Sequence, residues 1–382
     1  MLELADIIRA AGPAYVATHA GTLLPSQRRA LHDIIQCRTA ALGGSLYRCD
    51  DCGALDYRYH SCRSRHCPKC QTDRAQRWLD RVQERLLPCD YYLLTFTLPA
   101  QLRTVAHRHQ RSVYGALLRE AAATVQRVAA DRAWIGGTPG ILAVLHTWSR
   151  TLDYHPHVHL LVSAGGLTAD GAAWIRPAHP RFLLPGYVLS RIFRAKMRDA
   201  LTRAGVVSNI DARVWHRRWT VHVEQAGTGA HATLYLSRYV YRVALTNQRL
   251  ERFADGRVTF QYTDARTHTT RSLTLPVDVF LTRFLHHVLP RGFTKVRWYG
   301  LLSPSHRADL ERARHLIAHH ASSSARGASP STAAAATSTR DDQSPPSFVP
   351  LANRCPVCSR GHRVLVQRYL PSRAPPLCSR VA

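Results

Sequence analysis

Three kinds of residue in this sequence could do chemistry that packing alone does not require. The first is the run His155-Pro156-His157-Val158-His159. In a strand, residues two apart point the same way, so His157 and His159 project together while Val158 faces the opposite side. Two imidazoles at that spacing suit one metal ion and leave coordination positions open for substrate. A third ligand is needed. His146 lies on the preceding strand-like run, and a hairpin folding near residues 151–152 sets it opposite His157, with His155 as the alternative. The second is Tyr235-Leu236-Ser237-Arg238-Tyr239. On a helix, residues four apart share a face, so both phenols address one place, with Arg238 and Arg242 near enough to meet phosphate. A phenol is a poor nucleophile at its ordinary pKa of about 10. A metal that withdraws charge from a phosphodiester stabilises the transition state and aligns an in-line attack. The resulting tyrosyl ester conserves the energy of the broken bond, so it can be passed to another hydroxyl without ATP. Two tyrosines can hold two strands at once.

The third kind is cysteine. Cys49 and Cys52 form one C-x-x-C pair, and fourteen residues later Cys67 and Cys70 form another. Each pair sets two thiolates on one knuckle, and two knuckles complete a zinc tetrahedron. His60, Cys62 and His66 lie between the pairs and Cys37 lies upstream. These could substitute as ligands or build a second site. Arg63, Arg65, Lys69 and Arg74 crowd the same stretch, and a zinc-stapled basic surface suits DNA docking. A third pair, Cys355 and Cys358, resembles half a zinc ribbon. Cys378 and His362 are candidates for its other half.

The balance of charge agrees. Fifty-two Lys and Arg against 25 Asp and Glu give +27 in 382 residues. Solubility needs a net charge of only about 2–8. Such a field attracts polyanions, and Arg, the commoner cation here, forks onto phosphate. No run of about 18 apolar residues offers a membrane span, and Met1-Leu2-Glu3-Leu4-Ala5-Asp6 is too acidic for a secretory leader. A cytoplasmic chain with thiols kept for zinc, not disulfides, is therefore expected.

The elements that must position these groups follow from periodicity. Residues 1–36 read as helical, with Leu31, Ile34 and Ile35 on one face, and residues 37–72 break that period. Asp73 and Gln76 form a capping box for a helix that Pro88 ends. Residues 91–98, 141–148, 157–163 and 218–224 read as strands, and roughly 108–132 and 231–243 as helices. Asp255-Gly256 is a hairpin turn signal, and Pro276 and Pro290 bracket a further helix. Residues 321–347 are mostly Ser, Ala, Thr and Pro, a composition that cannot bury a core. The expected organisation is an α/β (α+β) chain. A helical and zinc-binding DNA-docking region over 1–88 precedes a catalytic domain over 89–320, a disordered linker over 321–350 and a Cys-containing tail over 351–382.

A histidine–hydrophobic–histidine strand followed by a tyrosine helix resembles the HUH endonuclease superfamily. The match narrows with Cys37–Gly44, Ser61–Gln71, Thr95–Pro99, Leu145–Trp148, Leu152–His159, Tyr235–Tyr239 and Arg242–Asn247. These stretches, in this order over about 37–305, are similar to the rolling-circle transposases of the insertion sequence ninety-one family. The resemblance implies a mainly antiparallel, ferredoxin-like sheet with flanking helices, with the histidines on a central strand. It implies that His157 and His159 hold the catalytic metal, that Tyr235 and Tyr239 are the nucleophiles, and that the paired cysteines bind structural Zn. It implies Mg or Mn at the catalytic site, although three imidazoles by ligand preference suit Zn, Mn, Ni or Co better than Mg. The implied partners are single-stranded or hairpin DNA at the ends of an element, and target DNA. A plasmid relaxase or replication initiator would share the chemistry, but the Cys-rich amino-terminal region argues against it. A non-catalytic zinc-dependent DNA-binding protein and a metal hydrolase are the rivals that form no covalent adduct.

The charge makes a prediction of its own. DNA binding should weaken steeply with salt, log K falling with log salt by about 0.7 for each phosphate contacted on a single strand. A titration by fluorescence anisotropy at two or three ionic strengths checks this, and a flat response would assign the charge another role.

Overall fold

The computed structural model describes residues 1–70, 82–179, 182–207, 210–228, 244–264, 267–325 and 354–371. In chain order the helices are α1 (Leu4–Thr18), α2 (Pro25–Gln36), α3 (Arg103–Arg108), α4 (Gln110–Ala129), α5 (Gly186–Arg203), α6 (Val277–His286) and α7 (Arg307–Ala325). The strands are β1 (Gly44–Cys49), β2 (Leu55–Tyr59), β3 (Asp90–Thr97), β4 (Gly140–Trp148), β5 (Tyr154–Ser163), β6 (Gly166–Leu167) and β7 (Trp174–Ile175). They continue with β8 (Val221–Thr228), β9 (Leu250–Ala254), β10 (Arg257–Thr263), β11 (Thr270–Pro276), β12 (Val296–Gly300) and β13 (Arg363–Tyr369). Among the described residues no helix is long and apolar enough to cross a membrane.

The contacts divide the chain into two compact units, Met1–Ile35 with Arg65–His320, and Gln36–Ser64 with Ala321–Ala382. This differs from the linear boundary expected at residue 88. Helices α1 and α2 fold with the first unit because their apolar faces have partners there. The Tyr15 hydroxyl meets Thr282 on α6 at 2.8 Å, and Gln27 Nε2 donates to the Leu285 carbonyl at 3.0 Å.

The first unit is built on a five-stranded sheet of order β12-β4-β5-β3-β8, antiparallel throughout. Leaving out the edge strand β12, the chain runs β3, α4, β4, β5, α5, β8. That is a β-α-β-β-α-β order with the first and third strands at the centre, the ferredoxin-like topology. Period-two alternation assigns the two faces. Leu94, Phe96, Ile141, Ala143, Leu145, Val158, Leu160 and Val162 point to one side, where α4 and α5 cover them. Tyr91, Leu93, Leu142, Val144 and Leu161 point to the other, packed with Leu86, Leu87, Leu301, Leu302 and α7's Leu310. Helix α5 has no counterpart in the sequence-based reading above; its Leu189, Phe193, Met197 and Leu201 are fully buried.

Two local expectations are met in detail. Asp255 and Gly256 both take positive φ, 51° and 66°, which a two-residue hairpin turn between β9 and β10 requires. Helix α6 starts after Pro276 and stops before Pro290. The helix expected over 108–132 begins only after a break at His109, with α3 as a separate turn before it. Helix α7 runs through Ala325, five residues into the segment read as a linker; 326–353 lie outside the described residues, as does most of the capping-box helix.

The second unit carries the three-stranded antiparallel sheet β13-β1-β2. β1 pairs β2 from Gly44 against Tyr59 to Arg48 against Leu55, and pairs β13 from Gly44 against Tyr369 to Cys49 against Arg363. Arg363 is buried and meets Asp56 at 2.9 Å, so its charge is matched where water is excluded.

Phe193 tests the α5 packing. It stands edge-on to Phe96 of β3 at 4.9 Å and to Trp219 at 5.5 Å. Phe193→Ala should lower stability by about 3–5 kcal/mol, the range for emptying a well-packed aromatic site. Urea unfolding followed by circular dichroism measures it, and a loss under about 1 kcal/mol would mean that α5 does not hold the sheet.

Candidate metal centre and zinc-binding region

Strands β4 and β5 bring the histidines together. In their register Leu142 faces Leu161, Val144 faces His159, and His146 faces His157. All six lie on the face of the sheet away from α4 and α5, so the imidazoles continue a row of apolar side chains to its end. One ligand nitrogen from each of His146, His157 and His159 can be chosen so that all lie within 4.8 Å of one another. Ring contacts agree: His146 to His159 and His157 to His159 are both 4.8 Å between centroids.

The second nitrogens are held by partners. His157 Nδ1 lies 2.6 Å from the His155 carbonyl, which can only accept, so the proton sits on Nδ1 and Nε2 keeps its lone pair. His159 Nδ1 lies 3.0 Å from the Thr95 hydroxyl on β3. His146 stacks on Trp148 at 4.8 Å and 21°. Holding one ring nitrogen fixes tautomer and orientation for the other, as second-shell partners do at metal sites. Burial pushes His157 down to about 4, the His155 carbonyl opposing it and the His155 ring adding to it. Burial, with the His157 charge behind it, pushes His159 down to about 3. Both imidazoles are therefore neutral near pH 7, the form that ligates. The group fits a single ion bound by three nitrogens.

His155, the alternative third ligand, stands apart. Its Nδ1 accepts from Arg103 Nη2 at 2.7 Å, and burial with the Arg103 charge lowers its pKa. Tyr235 and Tyr239, with Arg238 and Arg242, lie outside the described residues.

Sequence reasoning missed the roles of Thr95, Trp148, His287 and Lys295. Thr95 was read as part of a strand and of a family-like stretch, and its role beside His159 depends on β3 pairing Thr95 with His159. Arg65, His66, Trp148, His287 and Lys295 line a small cavity, and of these Trp148 also stacks on His146. His287 Nε2 donates to the Leu152 carbonyl at 3.1 Å, and burial lowers this ring to about 3. Burial, then the Arg65 charge, brings Lys295 down to about 8. No sequence signal joins residues 65, 148, 287 and 295; only the tertiary fold does.

Two cations of the basic stretch have partners within the fold. Arg65 donates to the Phe293 and Pro290 carbonyls, the latter at 2.7 Å, and Lys69 pairs with Glu3. These contacts tie the loop that carries Arg65 and Lys69 to neighbouring backbone and to Glu3. Arg63 is exposed, with a φ of 53°.

The thiols are also arranged differently from the expected tetrahedron. Cys49 and Cys52 meet Cys355 and Cys358, all four sulfurs lying within 4.8 Å of one another. Cys67 and Cys70 belong to the first unit, where the Cys70 N–H donates to the Cys67 carbonyl at 3.2 Å and both side chains are buried. His66 lines the cavity beside Trp148, and burial, then Arg65 and Lys295, lowers it to about 3. His60 has both ring nitrogens engaged, by Ser45 at 2.9 Å and the Leu42 carbonyl at 3.1 Å. Of the tail candidates, His362 faces Asp50 at 3.8 Å, and Cys378 lies outside the described residues.

Two family descriptions match the chain, "Transposase zinc-binding domain" over residues 7–98 and "Putative transposase" over residues 140–309. The chain is similar to "Putative transposase y4qJ" of Sinorhizobium fredii (strain NBRC 101917 / NGR234), with 36% identity covering 98% of each chain. It is also similar to "Transposase for insertion sequence element IS801" of Pseudomonas savastanoi pv. phaseolicola, with 30% identity covering 71% of this chain and 68% of that one.

The buried neutral histidines make stability depend on pH. An unfolded histidine takes its proton near its ordinary value of about 6.5, whereas His157, His159 and His287 resist protonation down to about 4, 3 and 3. Below the ordinary value the unfolded chain binds more protons than the native one, so stability falls with falling pH, by up to roughly 1.4 kcal/mol per unit for each such group. The melting temperature should drop between pH 7 and pH 4.5 by scanning calorimetry. His287→Gln keeps a donor and an acceptor but cannot take the proton, so its decline should be shallower. Identical slopes would show that His287 is not buried neutral.

Proposed function

The chain belongs to the insertion sequence ninety-one family of transposases, and on that premise we propose that it cuts and transfers single DNA strands through a 5′-phosphotyrosine intermediate. The observation that carries this reading is the convergence of His146, His157 and His159 at the end of a ferredoxin-like sheet. A transposase needs a phosphodiester to be polarised, and three imidazoles on one face supply a place for the ion that does so.

In this reading a Mg or Mn ion, when bound, acts as a Lewis acid on the scissile phosphate and aligns the displacement. The rest is work for the chain. Thr95 and the His155 carbonyl hold the rings of His159 and His157 so that a nitrogen of each faces inward. Tyr235 or Tyr239 attacks phosphorus with its phenolic oxygen, the bond to the 3′ oxygen breaks, and that oxygen leaves with a proton as a free hydroxyl. Rejoining runs the same step backwards with a new 3′ hydroxyl, which is why the ester needs no further energy source. Arg238 and Arg242 contact phosphate, while Arg63 and the remaining exposed arginines supply affinity for single-stranded or hairpin ends. The zinc-binding region docks DNA, with Cys67 and Cys70 among its ligands.

Phenylalanine substitution separates chemistry from packing, because it removes one hydroxyl and keeps the ring. Purified protein is incubated with single-stranded end DNA and Mn, and the covalent adduct is read on a denaturing gel. Tyr235→Phe and Tyr239→Phe should each keep DNA binding and lose a share of adduct or of complete transfer, and the double variant should lose all adduct. His157→Ala should slow cleavage by roughly a hundredfold or more, since a metal contributes several kcal/mol to such transition states. An adduct that persists in the double variant, or cleavage untouched by EDTA, would overturn the mechanism.

A further inference from the structure

Beyond the catalytic reading, the cysteines of the second unit stand as a separate structure. Family matching places zinc binding within residues 7–98, and Cys355 and Cys358 lie far outside that span. We propose that Cys49, Cys52, Cys355 and Cys358 bind one zinc ion, so that a segment near the carboxyl end completes a zinc ribbon begun near the amino end.

The distances are those of a metal site. Cys49 Sγ lies 3.7 Å from Cys358 Sγ, and Cys52 Sγ lies 3.7 Å from Cys355 Sγ. Four sulfurs at about 2.3 Å from a tetrahedral zinc are about 3.8 Å apart along each edge. A disulfide needs about 2.05 Å, and all four are free thiols. Each knuckle aims backbone donors at its sulfurs. Cys52 N donates to Cys49 Sγ, Val357 N to Cys355 Sγ and Gly361 N to Cys358 Sγ, each at 3.4 Å. Neutral thiols are weak acceptors, whereas thiolates are strong ones, so these donors favour the ionised form that a metal needs.

The backbone around the thiols is closed by reciprocal bonds between the two segments. Asp50 N donates to the His362 carbonyl at 3.0 Å, and His362 N donates to Asp50 Oδ1 at 2.7 Å. Within the carboxyl-side knuckle Cys355 N donates to the Gly361 carbonyl at 2.8 Å. A Cβ built on Gly361 would run into Cys49 Sγ and come within 2.7 Å of Asp50 Oδ1, so only glycine lets the two knuckles close on each other. Directly beyond them β13 pairs with β1, ending with Arg363 opposite Cys49. A sheet of three short strands has little core of its own, and units of that size depend on a metal or another staple for folding energy. Binding releases protons from the thiols, and no oxidant or reductant is involved.

The test counts zinc and needs no DNA. Zinc per chain is measured by mass spectrometry of the metal in the full-length protein and in the Cys355→Ser/Cys358→Ser variant. The proposal expects the variant to hold one zinc fewer than the wild type; equal content overturns it. Cys358→His offers a nitrogen ligand in place of sulfur. It should keep the zinc and, after exchange to cobalt, shift the visible absorption relative to the wild type; an unshifted spectrum overturns the assignment. A measurement on the unmodified chain guards against misfolding of the variants. Cys52 is exposed and Cys358 half-exposed, yet both should resist alkylation by iodoacetamide until a chelator strong enough to strip zinc is added. Rapid labelling of both in the zinc-loaded protein would refute the site.

Discussion

His146 and His157 stand opposite each other on adjacent antiparallel strands, and the place of His159 follows from the pleat, two residues further along the same face. That register is the constraint on which the candidate centre depends. A slip of one residue would turn His157 and His159 toward α4 and α5, and would turn Val158 and Leu160 out of the core. The apolar rows prevent it. Leu142 and Val144 on β4 and Leu161 on β5 are fully buried on the histidine side, while Ile141, Ala143, Leu145, Leu160 and Val162 are buried on the helix side. Both faces of the sheet are packed, so each residue of the hairpin has one side on which it fits. The same hydrophobic burial that stabilises the sheet therefore aims the imidazoles.

Burial then sets their charge state. Taking an imidazole out of water disfavours the protonated form, and the rings here also disfavour it in one another. Cations nearby add to the effect: Arg103 on His155, and Arg65 and Lys295 on His66. At the centre itself, neutral His157 and His159 present lone pairs, which suits a cation. The tyrosines of the proposed reaction face a different requirement, since a phenol needs help to ionise; in that proposal the ion provides it.

The second unit shows the opposite solution to the same stability problem. Its sheet β13-β1-β2 leaves Leu55, Val364, Leu365 and Val366 exposed, so little apolar area is taken out of water. What holds it are specific bonds: strand pairing, the Arg363–Asp56 pair, the Asp50–His362 exchange and the clustered thiols. Non-local closure of this sort costs loop entropy that grows only slowly with loop length, which is why two knuckles some three hundred residues apart can share a site.

The sequence alone determined the parts that rest on short-range periodicity and residue chemistry. The strands carrying His146, His157 and His159, the hairpin register between them, the Asp255-Gly256 turn and the helix bracketed by Pro276 and Pro290 were all legible. Each depends on neighbours within a few residues. The family was legible from motif order, because residue types at a chemical site are limited by what they must do. The tertiary structure decided which distant groups meet. C-x-x-C pairs are alike in sequence, so spacing favoured Cys67 and Cys70 as partners for Cys49 and Cys52, whereas β13 pairing with β1 brought Cys355 and Cys358 there instead. Likewise the sequence marks Arg65 and Lys69 as cations, and the fold sets carbonyls against the one and Glu3 against the other. A side chain's type is written in the sequence; the partner that satisfies it is selected by which surfaces burial presses together.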